Sequence, residues 1–391
     1  MNDFKIVYVN ETSIFTIKNL QNKNFANRYH SLGLYYLINK LIKKYEIYTS
    51  DEAFEKMEKD NWDLKKVLII QELSSKKGNK LIKLGAIPFL FICFEGPFYG
   101  HISYNKIKIY AKIFKKIIIY NNLYPGLENY QNKIINIGFP WIEENKINND
   151  FKKLDKKEWN SRKLIVGIWS NKHYSLNLHK IIYHVKKGNF KYIIGEIITK
   201  LISKTYKKNL KYQLIDKRLD VFLNLSRYVN FDLYGRGWNI KHETPNKIYR
   251  KILNYKNSIY DGEEAKYKKL SKKQICTQYK FSLCFENAIS RSYLTEKIFD
   301  CFFYKIIPIY LGAPNISDLI PEECFIDYRK FKNDLELLNY IKNISHKEAN
   351  EYLQAAHNFV NSEKIFKNSC DNFSQLILRE TDEYVKKNNF N

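Results

Sequence analysis

Residues 281–315, FSLCFENAISRSYLTEKIFDCFFYKIIPIYLGAPN, place polar groups at every turn of one βαβ pattern. Phe281, Leu283 and Phe285 alternate with Ser282, Cys284 and Glu286, which predicts a strand ending at Glu286-Asn287. A polar loop over 287–294 leads to Thr295, the expected helix N-cap, followed by Glu296 and Lys297. Ile298, Phe299, Phe302 and Phe303 give that helix a stripe to bury, and the next strand, 306–311, ends in Gly312-Ala313-Pro314. In an open α/β sheet, ligands bind beyond the carboxyl ends of the strands. Strand end, helix start and next strand end meet on that edge. The helix start offers unpaired N–H groups and a positive dipole, and Lys297 adds a full charge. Such a combination suits a phosphate or diphosphate. The loop is also longer than a plain connection needs. Taken singly, Glu296 reads equally as a first-turn helix acid and Lys297 as a solvated cation.

Two further residues fit this chemistry. Arg218, preceded by Lys217, falls near the start of a helix expected over 216–229. Its guanidinium there either grips a phosphate bidentately or faces solvent. In the first part of the chain, FLFICFEGPFYG ends a buried strand in Glu95-Gly96-Pro97. A carboxylate at a strand end beside apolar walls can serve as a general base with a raised pKa; the alternative is a loop or capping acid. The stretch Tyr234-Gly235-Arg236-Gly237-Trp238 lacks the third glycine of a dinucleotide fingerprint. There is no P-loop, HExxH, Ser-His-Asp pattern or DxD pair, and His173, His179 and His184 have no ligand set, so they are read as structural.

Two α/β series must position these residues. Over 4–140, strands are expected at 4–9, 66–71, 88–94, 116–120 and 133–138, with a helix at 26–45 spaced by Leu32, Tyr35, Tyr36, Ile38, Leu41 and Ile42. Runs of Val, Ile and Phe between helices predict a parallel sheet covered on both faces. Residues 142–162 read as a linker. The second series has strands at 163–168, 231–234, 281–286, 306–311 and 324–327, and helices at 216–229, 332–342 and 346–361. The expected domains are 1–150 and 151–361, with 362–391 a C-terminal helix or tail. A basic insertion, 172–215, contains 193–204, where Ile193, Ile194, Ile197, Ile198 and Leu201 share one helical face. A basic amphipathic helix of this kind lies on an anionic membrane or packs as an ordinary helix.

Composition bounds the rest. With 45% hydrophobic and 16% aromatic residues among 391, the chain can build cores for about two domains, which excludes global disorder. The net charge of +25 favours acidic partners such as nucleic acid, anionic lipid or phosphorylated metabolites, or else marks a lysine-rich solvated surface. The six cysteines form no CxxC pair, and Cys93, Cys284 and Cys301 lie in apolar runs, so a reduced protein is expected. The N-terminal MNDFKIVYVNETS reads as a strand rather than a signal peptide. The longest apolar runs fall short of the ~20 residues that span a bilayer. The expected localisation is cytoplasmic, with peripheral contact to the inner membrane face suggested by the basic insertion.

The span FSLCFEN…YLTEKIFDCFFYKIIPIYLGAPN…FIDYRKF resembles the α-1,3-fucosyltransferase family, glycosyltransferase family 10. Its pattern runs F-x-L-x-F-E-N, then Y-x-T-E-K, then P-[IV]-Y-x-G-[AS]-P, then S-F-[IV]. FDLYGRGW resembles the segment before that pattern. The clear match covers 216–331, and residues 1–140 match mainly around Glu95. The resemblance implies an α/β GT-B fold: two Rossmann-like domains facing a central cleft, the C-terminal one holding the nucleotide sugar. It implies GDP-fucose as donor, inversion at the anomeric carbon, a glycan acceptor and no essential metal. By position, Glu95 looks like the family's general base. Arg218 and Lys297 would stabilise the leaving diphosphate. Glu296 would bind ribose hydroxyls or face the sugar. Tyr293 and Asn287 would position nucleotide and fucose, Glu286 would shape the pocket, and Thr295 and Gly312 complete the substrate-binding set. Two departures stand out: the long segment 172–215 separates Arg218 from the strand it normally follows, and Cys324 stands where the family commonly has Ser. The product would be a cell-surface glycan or its lipid-linked precursor, such as lipopolysaccharide. The rivals are a GT-B transferase using another nucleotide sugar, and a basic nucleic-acid-binding protein, for which no known motif is present.

Overall fold

The computed structural model describes residues 3–389 apart from 12–13, 29–30, 98–99, most of 144–149, most of 171–211 and most of 236–269. Apart from Ile194, which is exposed, the amphipathic stretch read at 193–204 lies outside the described residues, as do the histidines at 173, 179 and 184 and residues 236 and 237. The chain forms two compact units, Met1–Asn149 with Glu363–Asn391, and Asp150–Ser362.

The first unit is built on a five-stranded sheet in the order β2-β1-β3-β4-β5. The strands are β1 (Lys5–Val9), β2 (Glu46–Thr49), β3 (Val67–Glu72), β4 (Ile87–Cys93) and β5 (Lys116–Ile119), and all pairings are parallel. Runs such as VLIIQE and IPFLFIC bury both faces, as a doubly covered parallel sheet requires. Pro88 has no N–H to give the ladder, and the β3–β4 register shifts between Ile69 and Ile70. One face packs on α1 (Leu32–Leu41) through Leu34, Leu37, Ile38 and Leu41. The other packs on α2 (Ser50–Asp60), α3 (Lys76–Leu84), α4 (His101–Asn105) and α5 (Ile107–Ile113).

Three expectations differ from this arrangement. The edge strand β2, just four residues long, was not expected, and the helix expected over 26–45 is in fact two helices, Lys23–Arg28 and α1. The strand expected at 133–138 is a 3-10 helix, Glu128–Lys133, followed by extended chain with one bridge, Ile117 to Ile134. Beyond it the chain hydrogen-bonds elsewhere: Gly138 N–H donates to Lys367 O (2.8 Å) and Trp141 N–H to Asn368 O (3.1 Å). The C-terminal segment, read as a separate helix or tail, completes this first unit. Its long helix, Cys370–Asn388, lays Phe373 and Ile377 into the core and ties to α1 by Lys40–Asp371 (2.6 Å).

The second unit carries a six-stranded sheet in the order β11-β10-β9-β6-β7-β8, again all parallel. Its strands are β6 (Lys163–Ile168), β7 (Phe231–Gly235), β8 (Ile259–Asp261), β9 (Tyr279–Phe285), β10 (Ile307–Leu311) and β11 (Ile326–Asp327). The helices α6 (Ile215–Leu225), α7 (Glu296–Phe303), α8 (Asp334–Asn343) and α9 (His346–Val360) cover it. α9 starts with a capping box, Ser345 with Glu348, and its Asn350 holds the backbone of Leu154 on both sides (3.0 and 3.1 Å). Because every pairing is parallel, the six carboxyl ends share one edge. The six cysteines are free and buried, and no helix of the described residues is long and apolar enough to cross a membrane.

The C-terminal helix is thus core to the first unit. Phe373 is fully buried and its ring lies 5.8 Å from that of Phe94. Phe373→Ala should destabilise the protein by about 3–5 kcal/mol, read as a fall in the urea midpoint by circular dichroism. An unchanged midpoint would place the helix outside the core.

Candidate active site

Glu286 follows the last residue of β9, and its side chain is fully buried (0% exposed). A buried carboxylate is costly unless hydrogen-bonded and paired. Here the backbone N–H of Thr295 donates to Glu286 Oε1 (2.9 Å), and the Thr295 hydroxyl lies 2.8–2.9 Å from the two carboxylate oxygens. Lys297 Nζ adds an ion pair to Glu286 Oε2 at 3.2 Å. Thr295 occupies the N-cap position of α7, but its side chain serves Glu286 and makes no helix-capping bond, contrary to the sequence expectation. The Thr295 N–H is likewise spent inside the protein rather than offered to a ligand.

Lys297 Nζ also meets Thr295 Oγ1 (2.8 Å) and Glu296 Oε1 (3.4 Å), while 17% of the side chain stays exposed. Burial works against the ammonium, but Glu286 and then Glu296 outweigh it, so Lys297 holds its proton above the usual lysine range even with Arg218 nearby. Gly312 makes the cluster fit. A Cβ there would come within 2.6 Å of Glu286 Cγ and 2.5 Å of the Tyr310 hydroxyl. That hydroxyl accepts the Ala313 N–H (3.0 Å) and lies 3.5 Å from the carbonyl of buried Tyr293.

Arg218 reaches the same edge by a route the sequence conceals. Leu214 N–H donates to Asn287 O (3.0 Å), Ile289 N–H donates to Tyr212 O (2.7 Å), and Gln213 bridges Ala288. These bonds stitch the approach to α6 onto the loop that follows β9. Arg218, 2% exposed, then donates from Nη2 to Asn287 Oδ1 (3.1 Å). Its guanidinium carbon stands 5.8 Å from the ring centroid of Trp169, at the carboxyl end of β6. Trp169 was not singled out from sequence; an aromatic directly after a strand end was its one signal. Gly235 admits it, since a Cβ there would come 1.9 Å from Trp169 O. The loop is held further by Ser292, at φ 58, whose N–H donates to Asn315 Oδ1 (2.8 Å). Arg218, Glu286, Asn287, Tyr293, Thr295, Glu296, Lys297 and Gly312 therefore gather on one edge of the second unit.

Glu95 belongs to the first unit. It sits two residues past β4, half-buried, on the carboxyl edge of that sheet. Its carbonyl takes the Tyr104 hydroxyl at 3.2 Å and lies 3.8 Å from the Cys93 thiol. The Cys93 thiol is pushed up by burial, with Glu95 and Glu72 adding to the effect. Glu72, at the end of the adjacent β3, was also missed. It accepts from the Tyr8 hydroxyl (2.5 Å) and Asn10 Nδ2 (2.8 Å), and burial raises its pKa against the pull of those bonds. Among the described residues, no group of three His, Cys, Asp or Glu side chains is placed to hold a metal ion.

Two α/β units, each built on a parallel sheet, have the fold of the GT-B class. A crystal structure of the Anabaena protein Alr3699/HepE in complex with UDP and glucose is similar in fold, with a TM-score of 0.53 at 10% identity over 97% of this chain and 99% of that one. Residues 196–376 match the model of glycosyltransferase family 10 (fucosyltransferase), C-terminal domain. Similar curated proteins include the α-(1,3)-fucosyltransferase FucT of Helicobacter pylori, 42% identical over 83 residues, which are 21% of this chain and 17% of that protein. The GDP-fucose protein O-fucosyltransferase 3 of Canis lupus familiaris is 39% identical over 74 residues, 19% of this chain and 16% of that protein. These matches span less than a fifth of either relative.

Glu286→Gln leaves the Lys297 ammonium without its closest anion and should cost about 3–5 kcal/mol, whereas the double variant Glu286→Gln/Lys297→Met should cost less. Lys297 contributes stability that is complete below the unfolded lysine pKa of ~10.4 and is lost as pH rises through its higher folded value. Urea midpoints should therefore fall more steeply on the alkaline side for the wild type than for Lys297→Met. Parallel alkaline limbs would remove Lys297 from the account.

Proposed function

We propose that the chain is an inverting fucosyltransferase that moves L-fucose from GDP-fucose to a hydroxyl of a glycan acceptor. The observation that carries this reading is the convergence of Arg218 and Lys297, from separate sequence segments, beside Asn287 and Glu286 on one strand edge. Two fixed cations there oppose the charge that develops on a departing diphosphate. The family domain and the names of both relatives point to fucose.

In the proposed step, Glu95 takes the proton of the acceptor hydroxyl. The acceptor oxygen forms a bond to fucose C1 as the bond from C1 to the β-phosphate oxygen breaks. The electron pair leaves with GDP, whose added charge faces Arg218 and Lys297. Asn287 and Tyr293 position the donor, Glu296 takes ribose or sugar hydroxyls, and Glu286, Thr295 and Gly312 keep Lys297 in place. No essential metal is part of this proposal, so transfer should survive chelation by EDTA.

The test is turnover of GDP-fucose to GDP without acceptor, beside binding of GDP, GDP-fucose, GDP-mannose and UDP-galactose. Guanine nucleotides should bind and GDP-fucose should be turned over. Lys297→Ala should lose binding by at least tenfold. Glu95→Gln should bind normally and turn over on the order of 100-fold more slowly, the share typical of a general base. GDP-fucose binding no tighter than UDP-galactose would assign the site to a different donor.

A further inference from the structure

The outer face of α4 and α5 in the first unit has no role in the proposed reaction. Segment 96–127 contains Lys106, Lys108, Lys112, Lys115 and Lys116 but no Asp or Glu. The inward side of the helices is set by Tyr104, Ile107, Tyr110, Ala111 and Phe114, all buried. That spacing turns Lys108, Lys112 and Lys115 outward, and all three are exposed. It also turns out Ile102 and Ile109, which are 49% and 58% exposed. The loop after β5 adds Leu123, 62% exposed. That loop lies against the same helices: the rings of Tyr124 and Tyr104 are 4.7 Å apart, and Gly126 abuts the Lys108 side chain.

The charge of this face is largely uncompensated. Among the described residues, no ion pair involves Lys106, Lys108, Lys112 or Lys115. Lys116 is paired with Glu380 (2.7 Å). Glu128 is a second acid close by; it accepts the Gly126 N–H and feels Lys108. Lys133 caps the end of α5, donating to the carbonyls of Ala111, Lys112 and Phe114 at 3.0–3.1 Å, and adds a further positive charge.

We propose that this face, Ile102, Ile109 and Leu123 among Lys108, Lys112 and Lys115, docks the protein on an anionic phospholipid bilayer. Aliphatic side chains enter the headgroup boundary, and lysines around them meet the lipid phosphates. Single-stranded nucleic acid would call for exposed aromatic rings on which bases stack, and among the described residues the exposed large apolar side chains of this face, Ile102, Ile109 and Leu123, are aliphatic. The face adjoins the strand edge that carries Glu95, because Gly100, the residue before α4, donates to Gly96 O at 2.8 Å. On the proposed function, a docked bilayer would then present a lipid-borne acceptor close to the general base; the docking itself does not depend on that reading.

The experiment is flotation of the full chain with vesicles of phosphatidylcholine alone and of phosphatidylcholine mixed with phosphatidylglycerol. The wild type should float with the anionic vesicles only. Ile102→Ser/Ile109→Ser and, separately, Lys108→Glu/Lys112→Glu/Lys115→Glu should each weaken partition by on the order of tenfold or more. All five positions are exposed, so the fold should hold, and unchanged GDP-fucose turnover would confirm it. A wild type that does not float, or variants that float as well as it does, would overturn the proposal. So would loss in the lysine variant alone with full competition by duplex DNA, which marks a general polyanion surface. Failure to turn over GDP-fucose in the wild type would reject the enzymatic reading and leave the flotation result intact.

Discussion

The second unit is organised around a single buried anion. Glu286 has no exposed surface, and a carboxylate in that position must be matched by donors and by a countercharge. The match comes from one neighbouring element, the start of α7, through the Thr295 N–H, the Thr295 hydroxyl and the Lys297 ammonium. To let the carboxylate lie there, the next strand must end in a residue with no side chain, and Gly312 supplies it. The FEN, TEK and YLGAP segments of the sequence are therefore parts of one hydrogen-bonded object. A change in any of the three disturbs the placement of the cation.

Much of this was legible in residues 281–315, because the decisive contacts there are local and the alternation of Phe281, Leu283 and Phe285 fixes which side chains stop at the edge. Arg218 was legible as a residue type but not as a position. Its place depends on the pairing of Tyr212–Leu214 with Asn287–Ile289, a long-range contact with no local pattern. Trp169 and Glu72 were missed for a related reason: each ends an apolar run and looks, in sequence, like the last residue of a strand. Their chemistry comes from partners on other strands, Arg218 for one and Tyr8 for the other. The 133–138 stretch failed differently. Its Ile-rich pattern is strand-like, but after one bond from Ile135 N–H to Ile117 O the chain leaves β5, and from Gly138 onward its bonds go to 367–368, which no reading of neighbours along the chain supplies.

The two units solve the same problem with different chemistry. Each is a parallel sheet, so each gathers its strand ends on one edge. In the second unit that edge holds cations fixed by acids. In the first it holds two acids: Glu72, whose pKa burial raises, and Glu95, whose carbonyl lies 3.8 Å from a thiol that burial keeps neutral. A phosphate-binding edge needs permanent positive charge, while a proton-accepting edge needs a carboxylate with little countercharge beside it. On the proposed function, Arg218 and Lys297 would meet the first need in the second unit, and Glu95 the second need in the first unit.

On the proposed function, the geometry around Lys297 bears on how a diphosphate would be received. An ammonium has three donors. Three oxygens already face it, on Thr295 at 2.8 Å, Glu286 at 3.2 Å and Glu296 at 3.4 Å. Giving up Glu286 would strand a fully buried anion, and giving up Thr295 would loosen the group that holds that anion. Glu296 is at the longest distance and keeps 13% of its side chain exposed, so its charge is the cheapest to return to water. On the proposed function, a phosphate oxygen entering the site would replace Glu296 at Lys297. The displaced carboxylate, at the same helix start, would then accept from hydroxyls of the ligand that displaced it.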